Sequence, residues 1–282
     1  MTLYVSDLDG TLLNPQAELS ETTRAGLSRL LEEGLPFSVA SARHIVSIRQ
    51  ILAGLPLKLP VISSNGAYLS DLATGEHELV NAMEPALAQA IFALMQRHGF
   101  TPFLHTHGPQ GDRLFYQSVE NEGQRLFVEA RQKSGDPRLR HTTRLADELR
   151  NPAITLLVIA DHAPLKALFD EIQALCGERI EMHLADDLYA PGWPWLNVHD
   201  GRASKAQAIR SLAERYGLHD RELVVFGDHV NDLSMFRSAH RGIAVANAID
   251  EVRDAAHQVI GPHHEDSVVR FIESDWLRPT PG

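Results

Sequence analysis

This 282-residue chain contains a single cysteine, Cys176, which excludes an intrachain disulfide framework and any zinc site built from several thiolates. A lone thiol of this kind is expected to be buried and inert. No apolar run approaches the roughly eighteen residues that a membrane helix needs. The first residues lack a basic segment leading into an apolar stretch, so the sequence predicts neither a signal peptide nor a membrane span, with the cytoplasm as the expected compartment. Cations are also in deficit: 26 Lys and Arg against 37 Asp and Glu give a net charge of −11. That balance argues against nucleic acid or an anionic membrane as partner, because both are bound through basic surface. An acidic protein can still bind a phosphate ester locally, given a metal ion and a few placed cations.

What is present is ordinary folded-protein composition, 44% hydrophobic and 22% charged, in a chain long enough for two modest domains. Both ends show an α/β rhythm. The apolar run Leu3-Tyr4-Val5 enters Asp7-Leu8-Asp9-Gly10-Thr11. Ser20 then predicts the N-cap of a helix bearing Leu27, Leu30 and Leu31 and stopped by Gly34. Pro36–Ala40 reads as a strand delivering Ser41-Ala42-Arg43, and Leu59–Ser63 as another delivering Ser64-Asn65-Gly66, before a hairpin turning near Ala73-Thr74-Gly75. Residues 84–188 change texture, with short strands among helices and turns, and predict an inserted α/β module with no catalytic cluster. The rhythm resumes with Trp195–His199, read as a strand of the first domain, with Trp193 and Trp195 packing the junction. The helix opened by Ser204-Lys205 and the strand Glu222–Phe226 leading into Gly227-Asp228-His229-Val230-Asn231-Asp232 follow. Arg278–Gly282 reads as a loose tail.

Polar groups therefore cluster just past the carboxyl ends of strands, where open α/β sheets bind ligands. Asp7 and Asp9, at i and i+2, are expected on one face of the strand end, and Gly10 permits a sharp turn after them. In order along the chain, Asp7-Leu8-Asp9-Gly10-Thr11, Ser41, Lys205 and Gly227-Asp228 with Asn231-Asp232 closely resemble the four motifs of the haloacid dehalogenase-like phosphohydrolases. The α/β insert between the second and third motifs resembles a type C2 cap, and Asn65-Gly66-Ala67 and Ala246-Asn247-Ala248 resemble features of the Cof-like phosphatases. The resemblance implies a Rossmann-like parallel-sheet core from residues 1–83 and 189–282 with a cap at 84–188. Two positions depart from the common pattern: Ala42 and Ala206 stand where the family more often has glycine. His229 is an unusual occupant of a variable position.

The same resemblance implies a Mg²⁺-dependent phosphomonoester hydrolase acting on small phosphorylated metabolites such as sugar phosphates, nucleotides or phosphorylated cofactors. Asp7 would be the nucleophile and Asp9 the general acid and base. Asp7, Asp9 through its backbone carbonyl, and Asp228 would hold Mg²⁺, and Ser41 and Lys205 would contact phosphoryl oxygens. Asn231 and Asp232 would orient Lys205 and the metal, while Arg43, Asn65 and Gly66 would meet substrate. A sugar phosphomutase and a non-catalytic phosphate-ligand binding protein are the alternatives. Fifteen histidines raise the question of zinc, but neither His105-Thr106-His107 nor His263-His264 has a partnered acidic or cysteine cluster, so none is expected. Monomer and homodimer are left open.

Overall fold

Short apolar strands separated by amphipathic helices bury both faces of a sheet only when the helices cross over it, the condition for parallel pairing. The computed structural model of the chain, which describes residues 2–187 and 190–277, shows that arrangement at the two ends of the sequence. In chain order the first stretch holds β1 (Thr2–Ser6), α1 (Glu21–Glu32), β2 (Phe37–Val39), α2 (Ile45–Ile51), β3 (Val61–Ser63), β4 (Tyr68–Ser70) and β5 (His77–Val80). The insert holds α3 (Pro85–Arg97), β6 (Phe103–Gly108), β7 (Gly111–Tyr116), α4 (Glu122–Lys133), β8 (Leu139–His141), β9 (Ala153–Ile159), α5 (His162–Cys176), β10 (Ile180–Asp187) and β11 (Ala190–Asp200). The last stretch holds α6 (Lys205–Arg215), β12 (Glu222–Gly227), α7 (Leu233–Ser238), β13 (Arg241–Ala244), α8 (Asp250–Ala255), β14 (Gln258–Val259) and α9 (Ser267–Trp276).

Two compact units result, Met1–Val80 with Ser204–Gly282, and Asn81–Ala203. In the first, the described residues form a parallel sheet in the order β14-β13-β12-β1-β2. β1 lies centrally between β12 and β2, so the loops after β1 and β12 emerge side by side. Ser20 caps α1 by accepting the Thr23 N–H at 2.9 Å, and Leu27, Leu30 and Leu31 bury its apolar face in a core shared with Ile48, Leu212, Phe226 and Ile272. Ser204 caps α6 in the same way through the Gln207 N–H. That cap fixes the start of the helix at Lys205.

In the second unit the described residues form a six-stranded sheet in the order β10-β11-β9-β6-β7-β8. β9 is buried along its whole length, because both faces are covered. Leu156 and Val158 pack with Leu87, Ile91, Leu165, Leu168, Leu196 and Val198 on one side. Leu157 and Ile159 pack with Phe103 and with Phe127 and Val128 of α4 on the other. Cys176 is buried as a free thiol.

Three expectations about this unit need correction. Trp195–His199 is indeed extended, but it belongs to β11, which pairs antiparallel with β9 (Leu196 opposite Val158) and with β10 (Leu196 opposite Leu184). The alternation of apolar residues predicts a strand, not which sheet receives it, and here the partners lie in the insert. Trp193 and Trp195 accordingly pack against the core of the second unit, and the first unit resumes at Ser204. Met83 is buried in the second unit's core as well. The expected boundary at 188 and 189 and the expected tail Arg278–Gly282 lie outside the described residues.

Since Leu196 is fully buried in β11, Leu196→Ala should destabilise the second unit by about 2–5 kcal/mol. Urea unfolding followed by tryptophan fluorescence checks this, since Trp193 and Trp195 both report on that unit. An unchanged midpoint would contradict the assignment of β11.

Candidate active site

β1 ends at Ser6, opposite Phe226 of β12, and the Asp7 N–H still donates to the Phe226 carbonyl at 2.9 Å. Beyond that bond the chain leaves the sheet. Gly10 adopts φ +73°, and a Cβ there would lie 2.3 Å from Oδ2 of Asp228, so the residue must be glycine for both backbone and space. Because the strand stops before them, Asp7 and Asp9 do not share a strand face as expected. Their side chains go to different cations.

Asp7 turns inward. Nζ of Lys205 donates to Oδ1 of Asp7 and to Oδ1 of Asp232, both at 2.6 Å, and all three residues are buried. The second oxygen of Asp232 accepts the backbone N–H groups of Asp228 and His229 at 2.9 and 3.1 Å, which fixes the loop after β12. Thr11 Oγ1 donates to Oδ1 of Asp228 at 2.9 Å. Asp9, by contrast, is gripped by a two-pronged contact from Arg43, Nε to Oδ2 at 2.7 Å and a terminal nitrogen to Oδ1 at 2.6 Å. Such a fork binds the ionised carboxylate.

The loops after β2 and β3 close the other side. Ser41 is buried, and its Oγ accepts the Arg43 N–H at 3.1 Å. Asn65 sits at φ +55° and accepts from Nδ2 of Asn231 at 3.1 Å. Gly66, at φ +100°, lies so close to Ser204 that a Cβ would come within 2.4 Å of its carbonyl oxygen. This contact sets the loop against the start of α6, one residue from Lys205. Every residue anticipated from sequence thus falls in this neighbourhood, but Arg43 pairs with Asp9, Asn65 with Asn231, and Lys205 with two carboxylates. Thr11, which donates to Asp228, is a contributor that the sequence reading does not single out. Thr11 stood inside the first motif, where only its position hinted at a bond.

One ammonium faces three carboxylates here. Burial works against the charge of Lys205, but Asp232 and Asp7 outweigh it and hold the ammonium protonated. Asp7 is pushed well above the usual carboxylate range by burial, with Asp232, Asp228 and Asp9 adding and Lys205 opposing. Asp228 is pushed up to about 7, first by burial and then by Asp232, while the Thr11 hydrogen bond opposes. Oxygens of Asp7, Asp228 and Asp232 lie within 4.8 Å of one another. A set of hard oxygen donors short of positive charge fits a divalent cation such as Mg²⁺.

The haloacid dehalogenase-like hydrolase family model matches residues 4–272. The chain belongs to that family. Among curated relatives, this hydrolase is 28% identical to a pyridoxal phosphate phosphatase of Escherichia coli, over 95% of this chain and 96% of that one. It is 24% identical to a 5-amino-6-(5-phospho-D-ribitylamino)uracil phosphatase of Bacillus subtilis, with 96% of each covered. Among solved structures, a haloacid dehalogenase-like hydrolase from Bacteroides thetaiotaomicron superposes with a TM-score of 0.78 at 23% identity, covering 97% of this chain and 99% of the other. At that identity the likeness concerns the fold.

The folded Asp228 carboxyl holds its proton to about pH 7, whereas the unfolded group loses it near 3.8. Between those values the unfolded hydrolase binds fewer protons, so without a divalent cation its stability falls as pH rises. Added Mg²⁺ should therefore raise the unfolding temperature more at about pH 8 than at about pH 5, where protons compete for the carboxylates. Asp228→Asn should remove that difference. An equal Mg²⁺ response at both pH values would contradict the assignment.

Proposed function

We propose that this hydrolase is a Mg²⁺-dependent phosphomonoesterase that works through an aspartyl phosphate on Asp7. The observation that supports it most is the shared grip of Lys205 on Asp7 and Asp232 beside Asp228, which presents a buried, oriented carboxylate just past the end of β1. Asp7, Asp228 and the backbone carbonyl of Asp9 would hold Mg²⁺. Bound there, the ion neutralises charge so that an anionic carboxylate can approach a dianionic phosphate.

The side chains then divide the chemistry. A carboxylate oxygen of Asp7 forms a bond to phosphorus as the ester P–O bond breaks, and Asp9, which takes up a proton from solvent once Arg43 turns to the phosphate dianion, gives that proton to the departing alkoxide. Asp9 next takes a proton from the water that attacks phosphorus, the Asp7–phosphorus bond breaks, and inorganic phosphate leaves. Lys205 and the Ser41 hydroxyl stabilise the phosphoryl oxygens as negative charge shifts during each transfer. Arg43 holds Asp9 beside the site until a phosphate dianion competes for its guanidinium. The relatives are named for small phosphorylated metabolites, and that class supports the choice of substrate for this chain. A cytoplasmic location accords with it, and among the described residues no helix is long and apolar enough to cross a membrane.

A panel of phosphate esters, including pyridoxal phosphate and an activated aryl phosphate, tests the proposal. Mg²⁺-dependent release of stoichiometric inorganic phosphate is expected, falling to background in Asp7→Asn. Asp9→Ala should lose more activity with alkyl than with aryl phosphates, because only the former need a proton on the leaving group. Arg43→Ala should lower kcat as well as raise KM, since the residue touches the acid and not substrate alone. Transfer of the phosphoryl group to a second sugar without free phosphate, or no turnover by folded, Mg²⁺-loaded protein, would overturn it.

A further inference from the structure

Asn247 and His263 take no part in the chemistry above, yet both reach into the loop that follows β1. Nδ2 of Asn247 donates to the Gly10 carbonyl at 2.8 Å, and its Oδ1 accepts the His263 N–H at 3.0 Å. The ring of His263 donates from Nδ1 to the Leu13 carbonyl at 2.6 Å. Two residues past Asn247, the Ile249 N–H donates to the Asp228 carbonyl at 3.0 Å. One segment, Asn247–Ile249, therefore bonds to the main chain of both loops that carry the acidic cluster. Those loops press together at Gly10, where a Cβ would lie 2.3 Å from Oδ2 of Asp228.

We infer that Asn247 and His263 form a clasp that sets the separation of the two loops and so tunes the cation affinity of the site between Asp7 and Asp228. Both are positioning residues. Neither lies among the carboxylates, and the bonds their side chains donate go to the peptide carbonyls of Gly10 and Leu13. Losing the Asn247 bond frees the Gly10 peptide to rotate, which moves the Asp9 carbonyl on one side and the Thr11 hydroxyl that orients Asp228 on the other. The inference rests on the proposal that this cluster holds a divalent cation, but not on the reaction catalysed.

The test is calorimetric titration of the full-length chain with Mn²⁺ in the absence of any ester, beside steady-state kinetics. Asn247→Ala and His263→Ala should each raise the Mn²⁺ Kd about tenfold, while KM for an aryl phosphate at saturating metal stays at the wild-type value. His263→Asn places an amide donor where Nδ1 stands and should restore most of the affinity. If Asn247→Ala fails to fold, the His263 pair carries the test alone. A folded Asn247→Ala or His263→Ala protein with a lowered unfolding temperature but a Mn²⁺ Kd within about twofold of wild type would overturn the clasp, leaving the bonds a purely structural role. Wild-type protein that binds Mn²⁺ but releases no phosphate would overturn the proposed reaction and leave the clasp standing. Wild-type protein that binds no Mn²⁺ would overturn both.

Discussion

An ammonium buried between two buried carboxylates holds this molecule's site together. Lys205 lies at the first position of its helix, and its charge survives burial only because Asp7 and Asp232 accept its protons at 2.6 Å. The dependence runs both ways. Removing one member of such a group leaves the others uncompensated, at a cost of about 3–5 kcal/mol. Asp7 comes from the loop just after the first strand and Lys205 from residues that follow a 123-residue excursion, Asn81–Ala203, so this cluster also closes the first unit across the insertion.

Other features of the site are consequences of holding so much negative charge in one place. Asp232 spends its second oxygen on two backbone N–H groups, Thr11 donates to Asp228, and Arg43 neutralises Asp9. The remaining deficit falls on Asp7 and Asp228, both with carboxyl groups pushed upward by burial and by the charge of Asp232. Two glycines make the crowding sterically possible. Gly10 lets the first loop lie on the Asp228 carboxylate, and Gly66 lets the third lie on the Ser204 backbone.

Much of this was legible in the chain itself. The parallel sheet follows from apolar strands alternating with capped helices, and the motifs along the chain point to Asp7, Asp9, Ser41, Lys205, Asp228 and Asp232. Pairing was not legible. Nothing in the order of residues says that Arg43 forks Asp9 or that Asn65 meets Asn231, because such contacts depend on loop conformations with positive φ at Gly10 and Asn65. Strand membership failed for a related reason. Leu196 and Val198 show the period of a strand, and only long-range pairing with Val158 and Leu156 assigns it to the second sheet. The role of Asn247 was hidden because an exposed asparagine in a turn looks the same whether it bonds to water or to the Gly10 carbonyl.

The covalent step is the claim on which the functional account stands, and it can be observed directly. The enzyme would be mixed with a phosphate-labelled ester and Mg²⁺, quenched in acid within a turnover, reduced with borohydride and mapped by peptide mass spectrometry. The account predicts a reducible acyl phosphate on Asp7, appearing before free phosphate and missing from Asp7→Asn. Steady phosphate release with no modified residue at Asp7 would mean that water attacks the ester directly, and would contradict it.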